Sequence, residues 1–217
     1  MHIHSTFRAN PAVPGVRSET GVDGLLDAMR STAVTLYAEG AIIYAQGEAA
    51  GPLYLVEFGT VRICRLTSDG RRQITAFHAA GEVFGFEAGA EHESFAESVD
   101  GAGIRVLRSS ASEQPTASML MLALKSLART QNHLMVLGRR NANERLAALL
   151  VDLAERQGDE RLVHLPMQRS DIADYLGLTF ETVSRILRAL KDMRIIRVRS
   201  VSEIEILDFA ALSEMCS

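Results

Sequence analysis

Between Val34 and Leu107 the apolar residues fall in short runs, several of them alternating with polar positions. Val34-Thr35-Leu36-Tyr37 stops at Glu39-Gly40, Ile42-Ile43-Tyr44 at Gln46-Gly47-Glu48, and Leu53-Tyr54-Leu55-Val56 at Gly59. Val61-Arg62-Ile63-Cys64-Arg65-Leu66 runs into Ser68-Asp69-Gly70, and Gln73-Ile74-Thr75-Ala76-Phe77 leads away from it. Asp-Gly at such a place favours a tight hairpin. A turn and short strand over Gly81–Gly85 follow, then Phe95–Val99 and Ile104–Leu107 close the series. Period-two runs rich in β-branched residues and punctuated by turn formers predict strands. Many short ones at this spacing predict an antiparallel β-barrel or jelly roll.

The period changes over residues 112–137. Leu120, Leu124, Leu127, Gln131 and Leu134 recur at alternating spacings of four and three, which is a heptad seam on a long helix. A helix that follows a closed barrel has no interior in which to bury such a stripe, so the partner expected for it is a second copy of the chain. Gln131 is a polar position in that seam, where it can set register.

From about Gly138 a second, mostly helical unit is predicted. Asn143 is placed to cap a helix from Glu144 to about Arg156 that Gly158 ends. Leu162–Leu165 reads as a short strand stopped by Pro166, and two short helices follow. Ile195–Arg199 and Glu203–Leu207 alternate around Ser200-Val201-Ser202, the pattern of a β wing. The organisation expected is therefore an α+β chain: an extension over residues 1–22, a β-barrel over 23–111, a dimerisation helix over 112–137 and a winged helix-turn-helix over 138–217.

Arg169 to Arg188 is the most informative stretch. Ala173 is small where two helices must cross closely, Gly177 stands four residues on where a tight turn needs positive φ, and Thr179 can cap a second helix. Val183 and Ile186 then point back into the core. These offsets together are those of a helix-turn-helix. On the second helix Val183, Ile186, Leu187 and Leu190 share one face, and Glu181, Ser184, Arg185 and Arg188 the other. In a major groove, Arg185 can bond guanine O6 and N7, Glu181 can accept from cytosine N4, and Ser184 can approach a thymine edge.

Charge sharpens this reading. The chain of 217 residues has a net charge of −4, yet residues 180–200 hold six basic groups against two acidic ones. A local basic face on an acidic protein is a nucleic-acid footprint. Arg169, Thr179, Thr182, Arg188, Lys191, Arg197 and Arg199 are the candidate phosphate contacts. The two cysteines, Cys64 and Cys216, are too few for a disulfide framework and suit a reducing compartment. His2 and His4 stand where a secretory signal carries Lys or Arg, with no apolar block after them. No apolar run approaches the length of a membrane span. A cytoplasmic protein with no membrane partner is expected. The pair His2 and His4 lacks the further ligands that a structural zinc needs.

The order of barrel, long helix and winged helix-turn-helix, with the string Asp171-Ile-Ala-Asp-Tyr-Leu-Gly-Leu-Thr-Phe-Glu-Thr-Val-Ser-Arg185, resembles the Crp–Fnr family of bacterial transcription regulators over about residues 25–210. Glu181, Ser184 and Arg185 are like the recognition signature of the Fnr and FixK branches. That resemblance implies operators of the TTGA…TCAA type, a homodimer and contact with RNA polymerase. The Crp branch has Gly at the position of Ser184 and Arg at that of Phe180, so both residues argue against its operator. Ser68–His78 and Gly81–Glu87 look particularly like FixK.

The resemblance also frames the question of a signal. Gly81-Glu82 matches the start of the family's cyclic-nucleotide pocket, but Ser94-Phe95-Ala96 stands where its Arg-Ser pair belongs, beside the acidic Glu91-His92-Glu93. No cation is placed there for a cyclic phosphate. The thiolates of an iron–sulfur cluster are missing from residues 1–40. His78, His92 and His133 are the candidate axial ligands for a haem. Some relatives carry an oxidisable Cys where this chain has Gln168. The reading that results is a homodimeric DNA-binding regulator, with activation more expected than repression, of low-oxygen or nitrogen-fixation genes, using no cofactor. The competing readings are a sensor whose barrel takes an unidentified small molecule or haem, and an enzyme, for which no catalytic constellation is visible.

Overall fold

The computed structural model describes residues 30–68, 70–108 and 117–216. The extension expected over residues 1–22, His2 and His4 with it, lies outside them. Eight strands come first: β1 (Arg30–Tyr37), β2 (Ile42–Tyr44), β3 (Leu53–Phe58), β4 (Thr60–Leu66), β5 (Arg72–Ala79), β6 (Val83–Phe84), β7 (Phe95–Ser98) and β8 (Ala102–Arg108). They form two antiparallel sheets of four strands, ordered β1-β8-β3-β6 and β2-β7-β4-β5. The arrangement is a jelly-roll-like pair of antiparallel sheets.

Alternation decides which side chains enter the space between the sheets. Tyr54 and Val56 of β3 and Ile104 of β8 meet Tyr44, Val61 and Ala96 from the other sheet. Leu53, Leu55 and Leu107, one residue out of phase, lie on the outer face. There they are covered by Met119 and Leu122 of α1 (Ala117–Leu137). The β4–β5 hairpin turns tightly, with Gly70 N donating to Thr67 O at 2.8 Å and Gly70 at φ +78°.

α1 buries only Leu122 and His133. Its seam residues Leu120, Leu124, Leu127 and Leu134 are 49 to 62% exposed, and Gln131 is exposed with them. The start expected near residue 112 falls in the undescribed stretch 109–116.

The second unit contains α2 (Ala142–Gln157), β9 (Leu162–His164), α3 (Arg169–Leu176), α4 (Phe180–Asp192), β10 (Ile196–Val198), β11 (Glu203–Ile206) and α5 (Phe209–Glu214). α2 begins earlier than its sequence suggests. Its cap is Asn141 and not Asn143, because the backbone leaves the extended region only after Asn141. Asn141 makes no side-chain cap bond; its Nδ2 instead donates to Glu144 Oε1 at 2.6 Å. Gly158 ends α2 in the left-handed region as expected. The strands form a wing ordered β10-β11-β9. The core holds Leu146, Leu150, Ile172, Leu176, Leu190 and Ile204, all essentially without exposure. It continues into Ile74, Phe77 and Val99 of the strand domain.

Candidate DNA-binding face

Each step of the helix-turn-helix has a local cause. α3 ends at Gly177, which adopts φ +63°, and its N–H returns to Ala173 O. Leu178 N also donates to Ala173 O, at 2.9 Å. Thr179 then leaves the turn in an extended conformation, and its Oγ1 accepts from Thr182 N at 3.2 Å. That bond satisfies one of the free donors at the start of α4. Ala173 is buried where α3 and α4 cross, and Val183, Ile186, Leu187 and Leu190 are buried beneath α4.

The opposite face of α4 is left to solvent. Glu181, Arg185 and Arg188 are exposed and Ser184 is half-buried. Glu181 sits in the first turn, where a negative charge suits the helix dipole. Among the described residues Arg185, Arg188 and Lys191 have no intramolecular ion pair, so their guanidinium and ammonium groups are available to a ligand. Arg169 reaches over from α3, and its Nη1 donates a long bond of 3.5 Å to Ser184 Oγ. The structure therefore brings Arg169 of α3 to Ser184 of α4, while Thr179 and Thr182 meet at the start of α4.

The wing arginines stand differently. Arg197 Nη1 lies 2.8 Å from Glu205 Oε2, and Arg199 Nη2 lies 3.1 Å from Glu205 Oε1. Bonding from Arg199 and the nearby Arg197 charge hold the Glu205 carboxyl below its usual range. Both guanidiniums remain at least half exposed, so a phosphate can still approach them while they are bound to Glu205.

The space between the two strand sheets is filled by aromatic rings. Tyr54 and Phe84 stack with centroids 5.2 Å apart, and the His92 ring lies on Tyr44 at 3.6 Å. His78 stacks on Phe84 at 5.4 Å. His133 is elsewhere: it stacks on Tyr175 at 3.8 Å, and its Nε2 donates to Tyr175 O at 2.9 Å. The candidate haem ligands thus occupy separate packing roles. Among the described residues no group of three or more His, Cys, Asp or Glu is placed to hold a metal ion. Cys64 is buried on β4, and burial pushes its thiol up to about 11. Burial also raises Cys216, so neither thiol is activated toward oxidation by its surroundings.

Glu82 faces the helices. Its Oε1 lies 2.9 Å from Arg156 Nη2 of α2 and its Oε2 lies 3.0 Å from Arg129 Nη1 of α1, with His78 Nδ1 3.5 Å away. Burial alone would raise this carboxyl, but the His78 ring and the two guanidiniums hold it down at about 2. Its capacity is spent on joining three elements.

A second set of charged residues escaped sequence reasoning. Arg72, just past the tight hairpin, is largely covered and, with Arg62, grips Asp171 and Asp174 of α3. The one sequence signal was two acidic residues three apart, Asp171 and Asp174, on the short helix before the recognition helix.

Comparison with known proteins agrees with this geometry. The Crp-like helix-turn-helix domain family matches residues 144–215, and the cyclic nucleotide-binding domain family matches residues 34–99. The nitrogen fixation regulation protein FixK of Rhizobium meliloti is 48% identical over 85% of this chain and 87% of its own length. FixK of Azorhizobium caulinodans is 40% identical over 84% of this chain and 78% of its own. The solved structure of FixK2 from Bradyrhizobium japonicum superposes with a TM-score of 0.79 at 34% identity, covering 87% of this chain and 98% of that one.

Proposed function

Because the chain belongs to the FixK-like branch of the Crp–Fnr transcription regulators, we propose that it is a homodimeric activator of nitrogen-fixation or low-oxygen genes that reads TTGA…TCAA palindromes without a bound effector. One observation carries the reading. The Thr179-capped helix α4 presents Glu181, Ser184 and Arg185 on a solvent face opposite its buried apolar stripe.

In the complex two α4 helices enter successive major grooves, about one helical turn or ~34 Å apart. Arg185 bonds guanine, Glu181 accepts from cytosine and Ser184 meets a thymine edge. Arg169, Thr179, Thr182, Arg188, Lys191, Arg197 and Arg199 meet phosphates, so affinity falls steeply with salt. The pairing of chains uses Leu120, Leu124, Leu127, Gln131 and Leu134 of α1, whose apolar members are exposed in the single chain. Surfaces of the strand domain and wing contact RNA polymerase. Among the described residues no helix is long and apolar enough to cross a membrane, which supports a cytoplasmic setting.

Two features support independence from an effector. Aromatic side chains fill the space between the sheets, and Glu82 is engaged by Arg129 and Arg156. The experiment is aerobic binding of the purified chain, with nothing added, to a TTGA…TCAA duplex and to one with scrambled half-sites. Selective binding is expected. Equal binding to the two duplexes, or none, overturns the proposal.

A further inference from the structure

Besides the Glu82–Arg156 ion pair to α2, two kinds of contact join the strand domain to α3. One is apolar: Phe77 of β5 packs edge-on against Tyr175 of α3 with centroids 5.2 Å apart. Such contact holds surfaces together but has no direction. The other is a fork of charges. Arg62 Nη1 lies 3.0 Å from Asp171 Oδ2, and Arg72 Nη2 lies 2.5 Å from Asp171 Oδ1. Arg72 Nε also donates to Asp174 Oδ2, at 2.9 Å. Arg62 is oriented in turn by Glu97 of β7, 2.7 Å from its Nε.

Both oxygens of Asp171 are occupied and its side chain is only 4% exposed. Planar guanidiniums that bind a carboxylate from two sides fix angle as well as distance. α3 crosses α4 at the buried Ala173, so whatever fixes α3 also fixes α4. A cleft of about 440 Å³ beside the fork is lined by Arg62, Arg72 and Asp171 together with Gln168, Ser170 and Asp100.

We propose that Arg62 and Arg72 are positioning residues for operator recognition: they lock α3, through Asp171 and Asp174, in the pose that lets α4 reach its groove. The inference rests on α4 being the DNA-reading helix. It goes further in assigning to the β4–β5 hairpin the task of orienting that helix, which makes the strand domain an intramolecular clamp.

The test uses the full chain carrying Arg72→Gln, Asp174→Asn, both together, or Arg72→Lys. Asp174 is the more exposed partner, so its variant keeps the test available if Arg72→Gln unfolds. Binding to operator and scrambled duplexes is measured at fixed salt, beside dimer mass and amide hydrogen exchange over residues 169–176 without DNA. Arg72→Gln is expected to weaken operator binding about tenfold or more, to leave scrambled-duplex binding within about twofold, and to speed exchange in α3. Arg72→Lys, which keeps the charge but not the fork, recovers part of the loss. The double variant loses no more than the worse single one, as expected for residues acting through one contact. Unchanged operator affinity in Arg72→Gln, equal loss on both duplexes, or additive losses in the double variant overturns the clamp. If the wild-type chain does not select the operator, the proposed function fails and the exchange arm decides alone. Faster exchange then supports the clamp, and unchanged exchange refutes it.

Discussion

Replacing Arg185 by Ala removes the side chain proposed to read guanine, and the structure allows the expected effect to be sized. Arg185 is exposed on α4, opposite Val183, Ile186, Leu187 and Leu190. Among the described residues it has no ion pair or hydrogen bond to lose. Alanine is also a strong helix former, so the fold and the dimer should be untouched. What disappears is one bidentate contact to guanine in each half-site, about 1–3 kcal/mol apiece. Two half-sites give about 2–6 kcal/mol, which at about 1.4 kcal/mol per decade is roughly 30-fold to 20,000-fold in affinity. The loss should fall on the operator. A scrambled duplex, held mainly through phosphates, should lose only what one fewer cation per half-site implies. Fluorescence anisotropy with both duplexes at one salt concentration measures the ratio directly. An operator-to-scrambled ratio equal to that of the wild type would refute the assignment of Arg185 to base reading, however much overall affinity fell.

Other expectations address the remaining layers. Leu127→Glu puts a charge into the exposed stripe of α1; sedimentation should find monomers at concentrations where the wild type is dimeric, with operator binding lost in parallel. Leu150→Ala empties a site with no exposure in the core of the DNA-binding unit. It should cost about 2–5 kcal/mol in urea unfolding, and a change under about 1 kcal/mol would contradict the packing described. The His78 ring and the Arg156 and Arg129 guanidiniums hold the Glu82 carboxyl at about 2 against its ordinary value of 4.5. Its charged form therefore stabilises the fold above pH 4.5, and that contribution is lost as pH falls toward 2. Glu82→Gln should flatten stability against pH between about pH 4.5 and about pH 2, and an unchanged slope would show that the junction with Arg129 and Arg156 carries no weight.

Much of the architecture could be read from residue order because its causes are local. Strands with period-two patterning, the Asp-Gly hairpin, the long heptad helix and the offsets Ala173, Gly177, Thr179 and Val183 all follow from chain-neighbour physics. The buried face of α4 came from the same source. Cap position was less legible: Asn141 and Asn143 are equally good cap residues, and only the backbone path decides between them. The six-residue helix α5 is too short to show a period. The charged clamp was invisible for a different reason. Arg62 and Asp171 are separated by 109 positions, and nothing in either neighbourhood announces a partner. The same holds for Glu82, whose motif suggests a ligand pocket while its surroundings supply Arg129 and Arg156.

The uncovered stripe on α1 has a kinetic and dosage meaning. On the proposed pairing through Leu120, Leu124, Leu127 and Leu134, exposed in the single chain, a subunit is active only after it finds another, so at low abundance the concentration of operator-competent pairs rises with the square of subunit concentration. Doubling synthesis then multiplies the competent species by about four, while dilution at cell division cuts it by the same factor. A gene circuit built on such a protein acquires a threshold from mass action alone. In that pairing the polar Gln131 would weaken self-association and so raise the abundance at which the threshold is crossed.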